Sequence, residues 1–234
     1  MGNSVNDTEH TRQTRQFFDA VASGWTARYA RDAAVAARLA RFRDAVQARL
    51  APPARILDFG CGSGDIAMNL ADAGFTVTGF DLSAQMIEEA RSADAQQRVT
   101  WMTRSASGDA LPFDDTSFDA VITSSVLEYV PALDATLREF VRILRPGGWL
   151  IATVPDVRHP HRQRERWLQL ALKFPGVTTF ARHSRWREGA HYLQISVNRL
   201  PAVAWHHHLK ASKLQLQAWP ELTGTLLMFV AQRL

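Results

Sequence analysis

Arg55-Ile56-Leu57-Asp58-Phe59-Gly60-Cys61-Gly62-Ser63-Gly64-Asp65 reads as a buried strand that runs into a glycine turn and then into the first turn of a helix. Ile56, Leu57 and Phe59 form a short apolar run behind Pro52-Pro53, the pattern of a strand covered on both faces. The glycines permit backbone angles that other residues resist, and they are expected to leave consecutive amides facing a ligand. From Asp65 to Ala73 the residues Ile66, Met68, Leu70 and Ala73 recur among polar positions and stop at Gly74, as in a helix packed on a sheet. The unit is a nucleotide-type cradle at the carboxyl end of a central strand.

The glycine pattern has two registers. From Gly60 it is G-x-G-x-G followed by Asp65, which misses the dinucleotide fingerprint at its third position; from Gly62 it is G-x-G-x-x-A, which fits it. In dinucleotide sites the first glycine follows the strand directly, which selects the Gly60 register. Asp65 would then set a carboxylate where a pyrophosphate should lie. A ligand without phosphate tolerates that better, and a plain connecting turn is the bland alternative.

Working outward, Phe75 to Asp81 is a second strand ending in an acid, and Ser83 is placed to cap a helix that runs to Ser92. Asp81 lies where an acidic side chain binds a ribose hydroxyl pair. Val99 to Ser105 and Phe118 to Ser124 read as strands three and four. A helix from Asp134 to Leu144 stops at Arg145-Pro146-Gly147-Gly148, and Trp149 to Val154 is strand five. This alternation implies an α/β, doubly wound parallel sheet. Ahead of it, residues before Thr8 are expected to lack regular structure, and Thr11 to Arg49 is helical with a break at Ser23-Gly24. Beyond Pro155 the rhythm changes: His159 to Phe174 reads as a helix, Pro175 to Gly189 as irregular, Ser196 to His208 as a helix, and Leu214 to Trp219 with Thr225 to Ala231 as closing strands. The expected organisation is one domain over 1–234: a helical lid (1–50), a ligand-binding core (51–155), an inserted substrate cap (156–195) and a closing helix with strands (196–234).

At 234 residues, 46% hydrophobic and 21% charged, the chain has the composition of a globular domain. One cysteine, Cys61, excludes an intrachain disulfide framework and a cysteine metal cluster. The polar opening and the lack of an apolar run near ~20 residues argue for a soluble, cytoplasmic protein without a membrane span. Net charge is +4, and the excess concentrates after Pro155. There Arg158, Arg162, Arg164, Arg166, Lys173, Arg182, Arg185 and Arg187 face only Asp156, Glu165 and Glu188. Such a stretch suits an acidic substrate, a phosphate-rich partner, an anionic membrane surface or simple solvation.

Taken in order, I-L-D-F-G-C-G-S-G, Asp81, G-D-A-L-P-F, D-D-T-S-F-D-A-V and L-R-E-F-V-R-I-L-R-P-G-G resemble the class I S-adenosylmethionine-dependent methyltransferases, most closely the group that includes the ubiquinone and menaquinone biosynthesis methyltransferases. The front helix F-F-D-A-V-A-S-G-W-T-A-R-Y is similar to that family's amino-terminal lid. The resemblance covers about residues 14 to 154. It implies a Rossmann-like seven-stranded sheet with the last strand antiparallel, and S-adenosylmethionine as cofactor. It also implies residue roles: Asp58, Gly60, Cys61 and Gly62 around the methionine part, Asp81 and Leu82 at ribose and adenine, Asp109 and Ala110 at the adenine edge, and Ser124 near the methionine amino group. The family's usual Gly-Phe before its sixth strand is replaced by His206-His207-His208, which reads as a helix-end cap rather than a metal trio.

Methyl transfer from a sulfonium needs positioning more than a metal or a covalent enzyme intermediate, and Trp25, Tyr29 and Tyr129 could lend aromatic faces to the positive charge. If the acceptor must lose a proton, His159, His161, His183, His191 and Tyr192 form the pool of candidate bases. The expected acceptor is a small or medium organic molecule with an apolar body and an acidic or oxygen-rich end. The cap arginines would hold that end, and Trp167, Leu168, Leu170, Leu172, Phe174, Phe180 and Trp186 would hold the body. Three other readings stand beside it: a nucleic-acid or tRNA methyltransferase using the basic cap, a nicotinamide-dependent oxidoreductase, and a non-catalytic nucleic-acid-binding module. The oxidoreductase is opposed by Asp65 and by the absence of a Tyr-x-x-x-Lys pattern, the last by the lack of a recognised binding motif.

Overall fold

Ile56 and Leu57 point to opposite faces of strand β1 (Arg55–Phe59), and both are fully buried, so the strand needs cover on each side. The computed structural model describes residues 4–25, 33–103, 110–182, 186–218 and 220–234. On one face Ile56 packs with Val77 and Ile122 against α2 (Ala33–Gln47), α3 (Asp65–Asp72) and α4 (Ala84–Ala93), through Phe42, Val46, Leu70 and Ile87. On the other, Leu57 and Phe59 pack with Phe80, Val121 and Phe229 against α5 (Leu133–Ile143) and α9 (Ala202–Ala211), through Leu137, Phe140 and Trp205.

The strands β2 (Thr76–Asp81), β3 (Val99–Thr103), β4 (Phe118–Ser124), β5 (Leu144–Pro155), β6 (Leu214–Leu216) and β8 (Leu226–Arg233) join β1 in the order β3-β2-β1-β4-β5-β8-β6. The first five are parallel, and β8 is antiparallel to both β5 and β6. A three-residue strand, β7 (Glu221–Thr223), folds back on β8. The order reverses between β1 and β4, which opens a crevice at their carboxyl ends.

Three segments differ from the sequence expectations. Helix α1 begins at Ser4 and runs to Ala22, so regular structure starts ahead of Thr8. Pro175 to Gly189, expected to be irregular, contains α7 (Pro175–Arg182) and the start of α8 (Arg187–Ile195). Proline is at home at a helix start, and the Thr179 hydroxyl, which could compete with the helix, donates instead to the Pro175 carbonyl at 2.9 Å. Conversely, residues 196–201 are not helical: the Val197 and Asn198 amides donate to Glu128 O, and Asn198 Nδ2 donates to Leu127 O at 2.9 Å. Those tertiary bonds outweigh the local helical pattern.

Trp101 on β3 is pinned by Asp94, whose Oδ2 accepts from Trp101 Nε1 at 3.3 Å and from the Val99 amide at 3.0 Å. Its ring lies against Gly64 and Gly79, and a Cβ at either position would overlap it. Gly79 has ordinary strand geometry, so the constraint there is space alone. Gly79→Ala is expected to cost about 1–3 kcal/mol and Trp101→Ala about 3–5 kcal/mol, while the double variant should cost much less than the sum. Urea unfolding of the three variants checks this; strictly additive costs would show that Trp101 is not what excludes a side chain at position 79.

Candidate active site

The loop after β1 is shaped by crowding on one side and openness on the other. Gly60 (φ 74°) lies against Val126, so a side chain there would collide with the start of the turn after β4. Gly62 (φ 54°) has room on its side-chain side: a Cβ built there would meet only the Trp25 ring nitrogen, at 4.0 Å. The amides are not left free, as the sequence had suggested. Gly60 N and Cys61 N donate to Phe80 O at 2.7 and 3.2 Å, Gly62 N to Asp81 Oδ2 at 2.9 Å, and Gly64 N to Cys61 O at 3.0 Å. A loop with these four donors occupied and Asp58, Asp65 and Asp81 around it presents negative potential. That is the wrong sign for a pyrophosphate and the right one for a cation.

A cavity of about 640 Å³ opens over this loop, within the usual range for small-molecule sites. Its floor is made by the ends of β1, β2 and β4 with Asp58, Asp81, Leu82 and Ser124. One wall comes from α1 and the residues after it, through Thr14, Phe17, Phe18 and Trp25, and His161, Arg162, Glu165 and Tyr192 continue the lining, Tyr192 packing against Phe17 with centroids 6.3 Å apart. The α1 wall is fastened at both ends. His10 Nε2 bonds Tyr129 O at 3.0 Å, and Asp19 Oδ1 accepts from Ser83 Oγ at 2.6 Å. That hydroxyl in turn accepts the Met86 amide at 3.1 Å, as the cap of α4. Phe18 meets Trp25 and Tyr129 edge-on, with centroids 6.0 and 5.3 Å apart, so one aromatic surface lines the cavity and belongs to a small core.

Burial, reinforced by the Asp81 carboxylate and partly offset by Arg38, raises the Asp58 pKa to about 7. Asp58 Oδ2 and Arg38 Nε are buried on this cavity and have no hydrogen-bond partner among the described residues. Burial also raises Asp81, against the pull of its bonds from Ser83 and Gly62. Burial and then Asp81 and Asp58 push the Cys61 thiol well above its ordinary value, the opposite of what a nucleophile needs. Across the cavity Glu128 is 1% exposed, and burial lifts its pKa to about 7 despite Arg162 and Arg199 nearby.

Asp58, Gly60, Cys61, Gly62, Asp81, Leu82, Ser124 and Trp25 thus come together around one cavity, whereas Ala110 is exposed and lies outside it. Tyr29, Asp109 and His183 fall outside the described residues. Of the candidate bases, His161 and Tyr192 line the cavity. His159 caps α6 (Pro160–Ala171) by accepting the His161 amide at 3.2 Å, and His191 packs edge-on against Phe17. Tyr192 OH accepts from Arg162 Nη1 at 2.7 Å, and its pKa is raised by burial and by Glu128, which makes it a donor rather than a base. The bulky apolar residues expected to enclose an acceptor do not line the cavity: Trp167, Leu168, Leu170, Phe174, Phe180 and Trp186 are exposed. Nor, among the described residues, do the cap arginines converge on it. Arg162 borders it, already bonded to Glu165 at 3.0 Å. Sequence reading missed Arg38 and Glu128; the one signal for Glu128 was an acid inside the apolar run V-L-E-Y-V. His208 of the histidine trio bonds Asp134 at 2.6 Å, and no group of three or more metal-binding side chains occurs among the described residues.

A family profile described as a methyltransferase domain matches residues 57–152. An uncharacterized protein of Mycobacterium tuberculosis is 38% identical over 101 residues, which is 43% of this chain and 37% of that one, so the match spans little more than a third of that relative's length. Demethylmenaquinone methyltransferase of Tropheryma whipplei is 34% identical over 171 residues, covering 71% of this chain and 68% of that one. Among solved structures, magnesium protoporphyrin IX methyltransferase of Synechocystis, with bound S-adenosylmethionine, superposes with a TM-score of 0.69 over 96% of this chain and 97% of that one; at 17% identity it speaks for the fold alone. The chain belongs to the class I S-adenosylmethionine-dependent methyltransferases, in the group that includes demethylmenaquinone methyltransferase.

Proposed function

We propose that the protein transfers a methyl group from S-adenosylmethionine to a small or medium organic acceptor. The observation that carries this reading is the pair of unpartnered buried atoms, Asp58 Oδ2 and Arg38 Nε, on a cavity whose loop has the amides of Gly60, Cys61, Gly62 and Gly64 already bonded within the protein. A carboxylate and a guanidinium on one cavity suit the ammonium and carboxylate of an amino-acid end, so the residues present fit the cofactor. When bound, the cofactor supplies a methyl group on a sulfonium, displaced in line as the acceptor attacks.

The other roles belong to the chain. Asp81 keeps lone pairs for two ribose hydroxyls while its oxygens hold the Gly62 and Ser83 amides. Phe18, Trp25 and Tyr129 offer aromatic faces to a positive charge, worth ~0.5–2 kcal/mol each, and with α1 they form a lid that keeps water from the reacting groups. Positioning by these walls carries most of the rate. Where the acceptor must lose a proton, Glu128, which like Asp58 lines the cavity with a pKa raised to about 7 but is not needed for the cofactor's ammonium, is the group to accept it near neutrality. The segment 156–195 acts as the substrate cap through His161, Arg162, Glu165 and Tyr192 rather than through its outer apolar residues. The name of the Tropheryma relative points to a quinone-type ring as acceptor class.

Because the Asp58 pKa is raised in the free protein, its carboxyl holds a proton below about pH 7, and binding an ammonium must release it. Affinity for S-adenosylmethionine is therefore expected to be flat above pH 7 and to fall towards about tenfold per pH unit below it. Asp58→Asn should bind weakly and with a flatter profile. Calorimetry in buffers of different ionisation enthalpy reads the released proton; a wild-type affinity unchanged between pH 8 and pH 5 would remove Asp58 from the ammonium site.

Glu128→Gln separates a base from a structural acid. With a proton-bearing acceptor, kcat at saturating cofactor should drop by ~10²–10⁴, with cofactor affinity unchanged. The raised pKa also penalises folding once the group ionises. Its stabilising effect is complete below the ordinary carboxylate pKa and lost as pH rises through about 7, so Glu128→Gln should raise the melting temperature at pH 8 and not at pH 4. Loss of cofactor affinity together with lower stability at both pH values would mark the Glu128 side chain as an anchor for Ser196, whose hydroxyl donates to Oε2 at 3.2 Å, and nothing more.

A further inference from the structure

Helix α6 has two unlike faces. Arg162, Glu165 and Gln169 point inward: Arg162 and Glu165 reach the cavity, and Gln169 Nε2 donates to Leu193 O and Ser196 O at 2.6 and 2.9 Å. Trp167, Leu170 and, just past its end, Phe174 follow at spacings of three and four on the other side, with Trp167 73% and Phe174 67% exposed. Helix α7 repeats the arrangement. Ala181 is buried, while Val177 and Phe180, three apart, project outward, Phe180 with 70% of its surface in water. Single exposed apolar residues are ordinary; a tryptophan, two leucines, two phenylalanines and a valine exposed on two consecutive helices and the turn between them are not.

The exposed charges of this segment are predominantly basic, with Arg158 paired to Asp156 at 3.2 Å. Arg158, Arg164, Arg166, Lys173 and Arg187 are exposed on the same segment, whereas Asp156 is buried and Glu165 is held between Arg162 and Arg199, leaving Glu188 as the exposed acid among the described residues. We propose that the outer surface of α6 and α7 is a docking face for an anionic lipid surface. Its tryptophan, phenylalanines and leucines would enter the headgroup and acyl boundary, and its arginines and lysine would face the acidic headgroups. A nucleic acid would satisfy the arginines and leave Leu168, Phe174, Val177 and Phe180 in water. A second copy of this chain packed face to face would set one basic surface against another, which opposes the symmetric contact.

The arrangement places the cavity directly behind the lipid-facing surface, because one helix supplies both. The proposal rests on the cap alone, so it stands or falls separately from the methyl-transfer reading. The full-length protein should co-sediment with vesicles of phosphatidylcholine mixed with phosphatidylglycerol about tenfold or more better than with phosphatidylcholine alone, and less well as salt is raised. The double variant Trp167→Glu/Phe180→Glu, at two exposed positions away from the cavity, should lose this association while keeping its circular dichroism and its affinity for S-adenosylhomocysteine. Arg164→Glu/Lys173→Glu should lose the preference for the anionic vesicles. No co-sedimentation, or co-sedimentation that survives both double variants, overturns the proposal. So does light scattering that shows a dimer dissolved by Trp167→Glu/Phe180→Glu without vesicle binding, or binding to bulk RNA in place of vesicles.

Discussion

Asp81 accepts two amide hydrogens at once, from Gly62 at 2.9 Å and from Ser83 at 2.8 Å, and most of the site hangs on that one carboxylate. The first bond ties the turn after β1 to the end of the neighbouring strand, which sets the glycine loop over β2. The second fixes the start of α4. Ser83 then relays the constraint, accepting the Met86 amide while donating to Asp19 on α1. A side chain at a strand end thus organises a loop, a helix start and a wall brought from more than sixty residues away in sequence. The price is an acid held where burial disfavours its charge, and the charge-assisted bonds from the backbone are what offset that.

Much of this could be read from residues alone, where local pattern and tertiary demand agree. Ile56 and Leu57 had to be covered on both sides, Ser83 had to cap a helix, and Asp81 had to follow a strand; each reading needs only neighbours in sequence. What stayed hidden depends on partners far away. Whether the amides of Gly60 and Cys61 are free is set by the Phe80 carbonyl, and whether residues 196–201 form a helix is set by the Glu128 and Leu127 carbonyls. Arg38 lies in an alanine- and arginine-rich helix where nothing distinguishes it from Arg41 or Arg43 until the fold sets it beside Asp58. The cap misled for a related reason: composition shows that Trp167 and Phe180 are apolar but not on which side of their helices they lie.

Charge in this molecule is segregated rather than balanced. Asp58, Asp65, Asp81, Glu128, Glu165 and Glu188 border the cavity, against Arg38 and Arg162, while the outer segment over residues 158–187 is basic. The net value of +4 therefore describes neither surface. An acidic interior next to a basic exterior draws a cationic ligand into the cavity and holds anionic material at the rim, so the two fields can sort ligands before any contact is made.

Strand β8 lies between β5 and β6 and is antiparallel to both, although it follows them in the chain. During synthesis β5 therefore emerges with one edge unsatisfied, carrying the buried run Leu150 to Val154, and it must wait through the cap and α9 for residues 226–233 to arrive. An open edge of that kind is a template for any other extended chain. The sheet is sealed by an insertion near its end rather than by growth at its margin, which makes the nascent chain most exposed to mispairing after its ligand-binding half has already taken shape.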